Sequence, residues 1–330
     1  MERADDIESE RMLEEVRSGG LLPAGTPVVA MLSGGRDSVC LLDLAVRLLG
    51  AEEVTALHVN YGLRDDSGED ERHCAALCER LGVGLEVERP RRPEGPGNLQ
   101  AWARDARYAA ATRLALPRGA SVIAGHTADD QVETILYRLA SSPSRRALLG
   151  MRPRDGMLAR PLLRFTREQT TAYCEERGLV WRDDATNAEL SFARGRVRHG
   201  LVPALKAIHP AAAENVLRTA ALLRDEAEVL DALVDAEIAG GGQEDGEGGR
   251  GTISLERLAE LPPALRRLVI QRFADRAAGR PVPGAANHAD EVAALRRTGT
   301  AMLDLGGGVR AVVERGILHT EAADGTKTSI

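Results

Sequence analysis

Between Val28 and Leu139, short apolar runs alternate with longer amphipathic ones, and this alternation limits the possible folds more than any other feature. Val28–Leu32 (VVAML), Val54–Val59, Val83–Val87 and Ser121–Ala124 are short and aliphatic, as buried strands are. Between them, Val39–Leu49, Ser67–Leu81 and a segment through Trp102–Leu114 read as helices, and another runs from about Thr127 to Leu139. Ser67 can cap its helix, with Glu69 and Asp70 in the first turn, where the dipole favours carboxylates. Strands joined by helices give an α/β fold, a doubly wound, Rossmann-like parallel sheet that binds its ligand outside the carboxyl ends of its strands.

Past residue 140 the character changes. Arg138 to Glu168 holds eight arginines (138, 145, 146, 152, 154, 160, 164 and 167) against Asp155 and Glu168. A second basic stretch, Arg194 to His209, contains Arg194, Arg196, Arg198 and Lys206 and no carboxylate. Val216, Ala220, Leu223, Ala227, Leu230 and Val234 recur at spacings of four and three, which marks a long amphipathic helix. It ends in GGGQEDGEGGRG, with seven glycines between 240 and 251, which reads as a flexible linker. Beyond it, Ile253–Ala278 reads as helical with a break at Pro262-Pro263, and residues 301–320 read as a strand pair or meander. Three segments follow: a nucleotide-binding catalytic domain over 1–210, the helix and glycine-rich linker over 211–251, and a small α+β carboxyl-terminal domain over 252–330.

Composition excludes several classes. Lys+Arg is 43 against 50 for Asp+Glu, a formal charge of −7, so any nucleic-acid contact must come from local patches and not from a basic coat. Only Lys206 and Lys327 are lysines, so arginine supplies nearly all the positive charge. Four cysteines (Cys40, Cys74, Cys78, Cys174) form no CxxC pair, which argues against zinc-ribbon, iron–sulfur and thioredoxin-type chemistry. The acidic start, MERADDIESER, lacks the apolar core of a secretory leader, and no apolar run approaches the length of a membrane span. A cytoplasmic protein is expected.

SGGRDS (Ser33–Ser38) lies between a strand and a helix. Its glycines let backbone amides approach an anion, the helix points its positive end there, Ser33 and Ser38 add hydroxyls, and Asp37 can hold Mg²⁺. It is neither the Walker loop nor GxGxxG, and no G-x-S-x-G surrounds either serine. GHTADDQVET (Gly125–Thr134) opens the helix after the fourth strand and brings His126, Asp129, Asp130 and Glu133 to the same sheet edge. Such carboxylates can bind Mg²⁺ or a substrate ammonium, whereas one histidine with carboxylates is a poor zinc set. HVNYGLR (His58–Arg64) closes the second strand where an adenine ring would lie against backbone, and ARDARY puts Arg104 and Arg107 on a helix.

In this order, SGGRDS, HVNYGLR, ARDARY, GHTADDQVET, Gly150-Met151, RPLL, DDATN and R-x-R-V-R-x-x-L-V-P resemble the tRNA(Ile)-lysidine synthetases of the N-type ATP pyrophosphatase (PP-loop) superfamily. The resemblance is good over about 25–235 and looser beyond, chiefly through LDLGGGVRAVVERGIL. It implies ATP and Mg²⁺ as cofactors, and free L-lysine and a CAU-anticodon isoleucine tRNA as partners. It implies that the C2 carbonyl oxygen of the wobble cytidine is adenylated and that the lysine ε-amine then attacks C2 and displaces AMP. It assigns ATP to Ser33, Gly34, Gly35, Arg36, Asp37, Ser38, His58, Arg107 and Gly125, and Mg²⁺ to Asp37. Lysine falls to Asp130 and Glu133, catalysis to Asp37, His126, Asp130 and Glu133, and tRNA phosphates to Arg145, Arg146, Arg194, Arg196 and Arg198. The small carboxyl-terminal domain is assigned to tRNA, and a homodimer stays open.

The chain departs from the family pattern at Pro143, in a turn that is usually glycine-serine-glycine, at Gly195, where asparagine is usual, and at Tyr61, where histidine is common. Longer relatives carry a further carboxyl-terminal domain beyond the stretch matched here. The alternatives are a PP-loop tRNA 2-thiolation enzyme, which the lack of CxxC disfavours, and a non-catalytic nucleotide sensor or RNA-binding module, which intact Asp37, Asp129, Asp130 and Glu133 disfavour.

Overall fold

In the computed structural model, which describes residues 7–63, 67–93, 98–141, 145–182, 193–240 and 251–322, every residue of strand β1 (Val28–Met31) is buried. On one side it pairs with β2 (Val54–Val59), which pairs with β3 (Gly84–Glu88). On the other side lie β4 (Ser121–Ile123) and a hairpin of two-residue strands, β5 (Arg154–Asp155) and β6 (Leu158–Ala159). The order is β3-β2-β1-β4-β6-β5, with only the β5–β6 pair antiparallel.

Helices cover both faces, and β1 shows why. Val28 and Ala30 pack with α1 (Ile7–Ser18), α2 (Arg36–Leu49), α3 (Ser67–Leu81) and, further along the chain, the helix over 167–176. Val29 and Met31 face the other way, onto Ala110, Ala111 and Ala115 of α4 (Leu99–Ala115). Alternate residues of one strand thus serve two cores, so the run has no polar face to show. Parallel register sets Val28 beside both Val54 and Ser121, so β1, β2 and β4 end near one level. Chain order reverses between β1 and β4, and the loops after these two strands meet in the crevice there.

α5 (Ala128–Ser141), α6 (Arg145–Leu148) and α7 (Arg167–Glu176) follow. Next come α8 (Ala193–Arg196), a π turn over Val197–Leu201, α9 (Val202–Ile208) and α10 (Ala212–Gly240). The four strands and four helices expected between Val28 and Leu139 are all present. Several elements were not expected, α1, the β5–β6 hairpin and α6 to α9 among them. α1 lies in the acidic amino-terminal stretch and buries Ser9, Met12, Leu13 and Val16, only three of them apolar. The β5–β6 hairpin turns at Gly156 (φ 58°) inside what reads as a basic run.

The chain divides into compact units at Ala221/Leu222, within α10 and not at the glycine-rich run. In the second unit β7 (Ile253–Ser254), β8 (Thr300–Gly306), β9 (Val309–Glu314) and β10 (Ile317–Ala322) form an antiparallel sheet ordered β7-β10-β9-β8. α11 (Leu255–Glu260), α12 (Pro263–Ala278) and α13 (Ala289–Ala293) complete it. Val234 and Ile238 of α10 sit in its core beside Ile253, Phe273 and Leu318. Arg257 holds Glu237 through two hydrogen bonds (2.7 and 2.9 Å), and Arg272 holds Asp231 and Asp235 (2.8 and 2.6 Å). The end of α10 is therefore part of this unit, and the chain around the glycine run leaves and re-enters one core. The apolar spacing of the helix could not show which core each turn would join. Among the described residues no helix is long and apolar enough to cross a membrane.

Candidate active site

The loop after β1 is shaped by its own residues. Gly34 has φ 83°, and a Cβ there would press on Cys74 Sγ at 3.3 Å. Gly35 is the N-cap of α2 and makes no side-chain cap; its carbonyl accepts from the Ser38 and Val39 amides, both at 3.0 Å, which leaves the Arg36 and Asp37 amides at the open end of the helix. Ser38 Oγ donates to the Gly35 carbonyl at 2.7 Å, accepts from Ser33 N at 3.2 Å, and lies 3.1 Å from Ser33 Oγ. Both hydroxyls thus brace the turn and line it. Asp37 sits in the first turn of α2, where its Oδ1 accepts from Thr170 Oγ1 at 2.6 Å and from Arg36 Nε at 3.1 Å.

Gly125, in the loop two residues past β4, lies directly against this turn. A Cβ on it would stand 2.8 Å from the Asp37 carbonyl oxygen and 3.1 Å from Ser38 N. Only glycine lets the β4 loop lie against the start of α2. The next residues form a tight cap: Thr127 N and Oγ1 both donate to Asp130 Oδ2 (2.9 and 3.1 Å). Gln131 accepts from Met151 N at 2.6 Å and donates to Met151 O at 2.9 Å, which ties Gly150-Met151 to α5.

α7 closes the crevice. Thr166 and Gln169 form a reciprocal capping box at its start. Arg167 N donates to Asp129 Oδ2 at 2.8 Å, while its guanidinium donates to Asp130 Oδ1 at 2.7 Å and Glu133 Oε1 at 2.9 Å. Arg198 Nε, from the π turn, stands 3.7 Å from the same Glu133 oxygen. Burial pushes the Glu133 carboxyl above its usual range and Arg167 pulls the other way.

Arg104, Arg107 and Arg160 add positive charge around His126, and Arg138 lies within reach of the charges of Arg104 and Arg160. Among the described residues none of the four forms a salt bridge, and the buried Arg107 Nε, Arg160 Nε and His126 Nδ1 have no hydrogen-bond partner. Burial, with Arg194, Arg104 and Arg160, lowers Arg138 from the ordinary guanidinium range, and burial lowers Arg160 too. Burial pushes His126 down to about 4, with Asp130 opposing and the arginines reinforcing. Its imidazole is therefore neutral near pH 7. Desolvated arginines that repel one another, beside orphaned donors, suit an anionic ligand.

Of the residues singled out in the sequence, the crevice gathers Ser33, Gly34, Gly35, Arg36, Asp37, Ser38, Gly125, His126, Asp130 and Glu133. Arg107 joins the arginines beside His126. The His58 ring is buried, and its Nδ1 donates to the Leu32 carbonyl at 3.0 Å and lies 3.4 Å from Cys74 Sγ, so that nitrogen serves the sheet. Arg198 reaches Glu133, whereas Arg194 and Arg196 are exposed. α6 carries Arg145 and Arg146, whose side chains lie outside the described residues, as do Pro143 and DDATN. Gly195 falls in α8, and Tyr61 donates to the Ala103 carbonyl at 2.9 Å with its ring against Trp102. Arg167 and Thr170 were missed because Arg167 reads as one charge in a basic run. A cation in the first turn of a helix opposes the dipole, and that anomaly was the available clue.

Asp37 offers Mg²⁺ a hard oxygen donor, and among the described residues no group of three His, Cys, Asp or Glu side chains forms a metal cage. One carboxylate with substrate phosphates is how Mg²⁺ is commonly held, so the residues fit the ion. All four cysteines are buried, and burial pushes Cys74 up to about 12 and Cys78 to about 11. Neither is poised as a thiolate.

Residues 7–205 match the ATP-binding PP-loop domain family. A tRNA(Ile)-lysidine synthase of Thermobifida fusca is 39% identical over 286 residues, covering 84% of each chain. The chain belongs to the tRNA(Ile)-lysidine synthase family. The family's member from Methylococcus capsulatus is 37% identical over 262 residues, 77% of this chain and 58% of its own. The chain thus spans little more than half of that lysidine synthase and most of the Thermobifida one. A solved structure of the U34-tRNA thiolase NcsA from Methanococcus maripaludis, with its [4Fe-4S] cluster, superposes with TM-score 0.56. It is 18% identical and covers 67% of this chain and 80% of its own, so this chain and that thiolase share a fold.

Proposed function

We propose that the chain ligates lysine to C2 of the wobble cytidine of a CAU-anticodon isoleucine tRNA, consuming ATP and releasing AMP and pyrophosphate in the cytoplasm. One observation carries this reading. A single turn of α7 touches Asp37 through Thr170 and the Asp130–Glu133 pair through Arg167. Three helical residues rise about 4.5 Å, so a phosphate-binding turn and a cation-binding carboxylate pair lie within the span of one small reacting centre.

In this reading, the amides of the first α2 turn and the hydroxyls of Ser33 and Ser38 hold the leaving pyrophosphate. Asp37 would hold Mg²⁺, which when bound neutralises phosphate charge. Arg107 and Arg160 face the α-phosphate and the cytidine's phosphodiester. Neutral His126 donates or accepts one hydrogen bond at the reacting phosphate without adding charge. Asp130 and Glu133 hold the lysine ammonium, and the raised Glu133 carboxyl suits it to take a proton before attack. Arg145, Arg146, Arg194 and Arg196 supply tRNA phosphate contacts, as do surfaces of the second unit.

The test is incorporation of labelled lysine into a CAU isoleucine tRNA transcript, with the CAU methionine tRNA and a sulfur donor as controls. Lysine- and tRNA-dependent pyrophosphate release is expected. Label from the sulfur donor alone would replace this reading with thiolation.

A further inference from the structure

The Asp130–Glu133 pair is already occupied by a cation belonging to the chain. Arg167 spends its two terminal nitrogens on two different carboxylates, Nη2 on Asp130 Oδ1 and Nη1 on Glu133 Oε1 (2.7 and 2.9 Å). Asp130 Oδ2 is filled by Thr127, and Glu133 Oε1 is shared with Arg198 at 3.7 Å. A free ammonium reaching this pair meets oxygens that are largely taken.

The anchoring of Arg167 separates its backbone from its head group. Its amide is held by Asp129 and its helix turn by the Thr166–Gln169 capping box. Neither contact uses the side chain. Position 167 is the first residue of α7, where the helix dipole disfavours a cation, so helix formation gives no reason for an arginine there. Its side chain is 16% exposed and that of Glu133 9%, so an unpaired charge on either would be costly. Exchange of one cation for another avoids that cost.

We infer that Arg167 is a built-in competitor for the substrate ammonium. It keeps Asp130 and Glu133 paired while lysine is absent, and it must release them for lysine to bind. The inference rests on the lysine reading of this pair. It adds a basis for selectivity: only a ligand that brings a positive charge can displace Arg167, and an isosteric neutral amino acid such as norleucine would leave two carboxylates unmatched.

The experiment uses the full chain with Arg167→Ala and Arg167→Lys, and with Arg167→Gln should the alanine variant fail to fold. Lysine binding is measured by calorimetry without ATP or tRNA, and guanidinium chloride at millimolar concentration serves as a second probe. Loss of the competitor should tighten lysine binding about tenfold, the scale of one charged hydrogen bond, with Arg167→Lys in between. The KM for lysine should fall while the KM for ATP holds. Guanidinium should stabilise Arg167→Ala, leave the wild type unchanged, and compete with lysine.

Weaker lysine binding in Arg167→Ala, with guanidinium restoring lysine use, would overturn the inference and make Arg167 a fixed wall of the site. If lysine binds no form of the protein, the inference falls with the lysine reading. Guanidinium binding would then still show a cation cradle serving another ligand.

Discussion

Thr170 Oγ1 donates to Asp37 Oδ1 at 2.6 Å, so a helix that follows the sheet sets the carboxylate of a loop that begins it, 133 residues earlier. Arg36 Nε is shared between that hydroxyl and Asp37 Oδ1, both at 3.1 Å, and of the two acceptors within reach of the Thr170 proton the carboxylate is nearer than the Arg167 carbonyl at 3.1 Å. Thr170→Val keeps the shape and removes this bond. A hydrogen bond to a charged group contributes about 1.5–3 kcal/mol, so pyrophosphate release should fall roughly ten- to a hundred-fold. Thr170→Ser should recover most of it. Full activity in the valine variant would show that Thr170 only fills space.

Asp37→Ala should abolish pyrophosphate release while the melting temperature stays near that of the wild type, because this side chain, 21% exposed, lies outside the hydrophobic core. Retained release would remove Asp37 from the chemistry.

Gly125→Ala tests the approach of β4 to α2. The added methyl has backbone 2.8 Å away and no flexible neighbour to yield, so overpacking of about 1–3 kcal/mol is expected. The melting temperature should drop by several degrees, and ATP binding should weaken beyond what the lost stability explains. Calorimetric titration beside a thermal melt separates the two.

His126 gives a pH signature. Its folded value of about 4 lies below the ordinary 6.5, so the unfolded chain binds the extra proton first as pH falls. Its neutral form therefore stabilises the fold fully above about 6.5, and that contribution is lost as pH drops toward 4. Wild type should lose melting temperature across this window faster than His126→Gln. Parallel curves would mean the imidazole is solvated.

The two-unit division also makes a prediction. A chain ending at Ala239 would expose Val234 and Ile238 and strand Asp231, Asp235 and Glu237 without their arginines. It should aggregate more and melt lower than one ending near Ala221. If the second unit serves tRNA, both should bind ATP and lose tRNA affinity at fixed salt. Equal behaviour of the two truncations in light scattering would contradict the assignment of the helix end to the second unit.

The centre of the sheet was readable because β1 is buried on both faces and VVAML is apolar throughout, whereas the edge strand β3 has no buried residue and was read from Val83, Leu85 and Val87 alone. The phosphate turn was readable because its glycines and its place between strand and helix are local facts. Arg167 was not, since its meaning comes from carboxylates on another helix, and a run of arginines looks the same whether its members face water or each other. The function of Gln131 was hidden likewise: an amide at mid-helix shows nothing of the Met151 peptide it holds. The end of α10 misled for a further reason. Glycine content reports that a segment lacks a core of its own, but not whether its two ends belong to one core or two.

Gly251 lies so close to Ile238 that a side chain there would collide with it, so the chain before and after 241–250 is pinned on both sides by the same core. Closing a longer excursion between fixed ends is inexpensive, about 0.6 kcal/mol for each doubling of its length. Insertions of increasing length between Gly240 and Gly251 should therefore cost the second unit little stability, whereas a side chain at Gly251 should cost it far more, because it would have to displace Ile238.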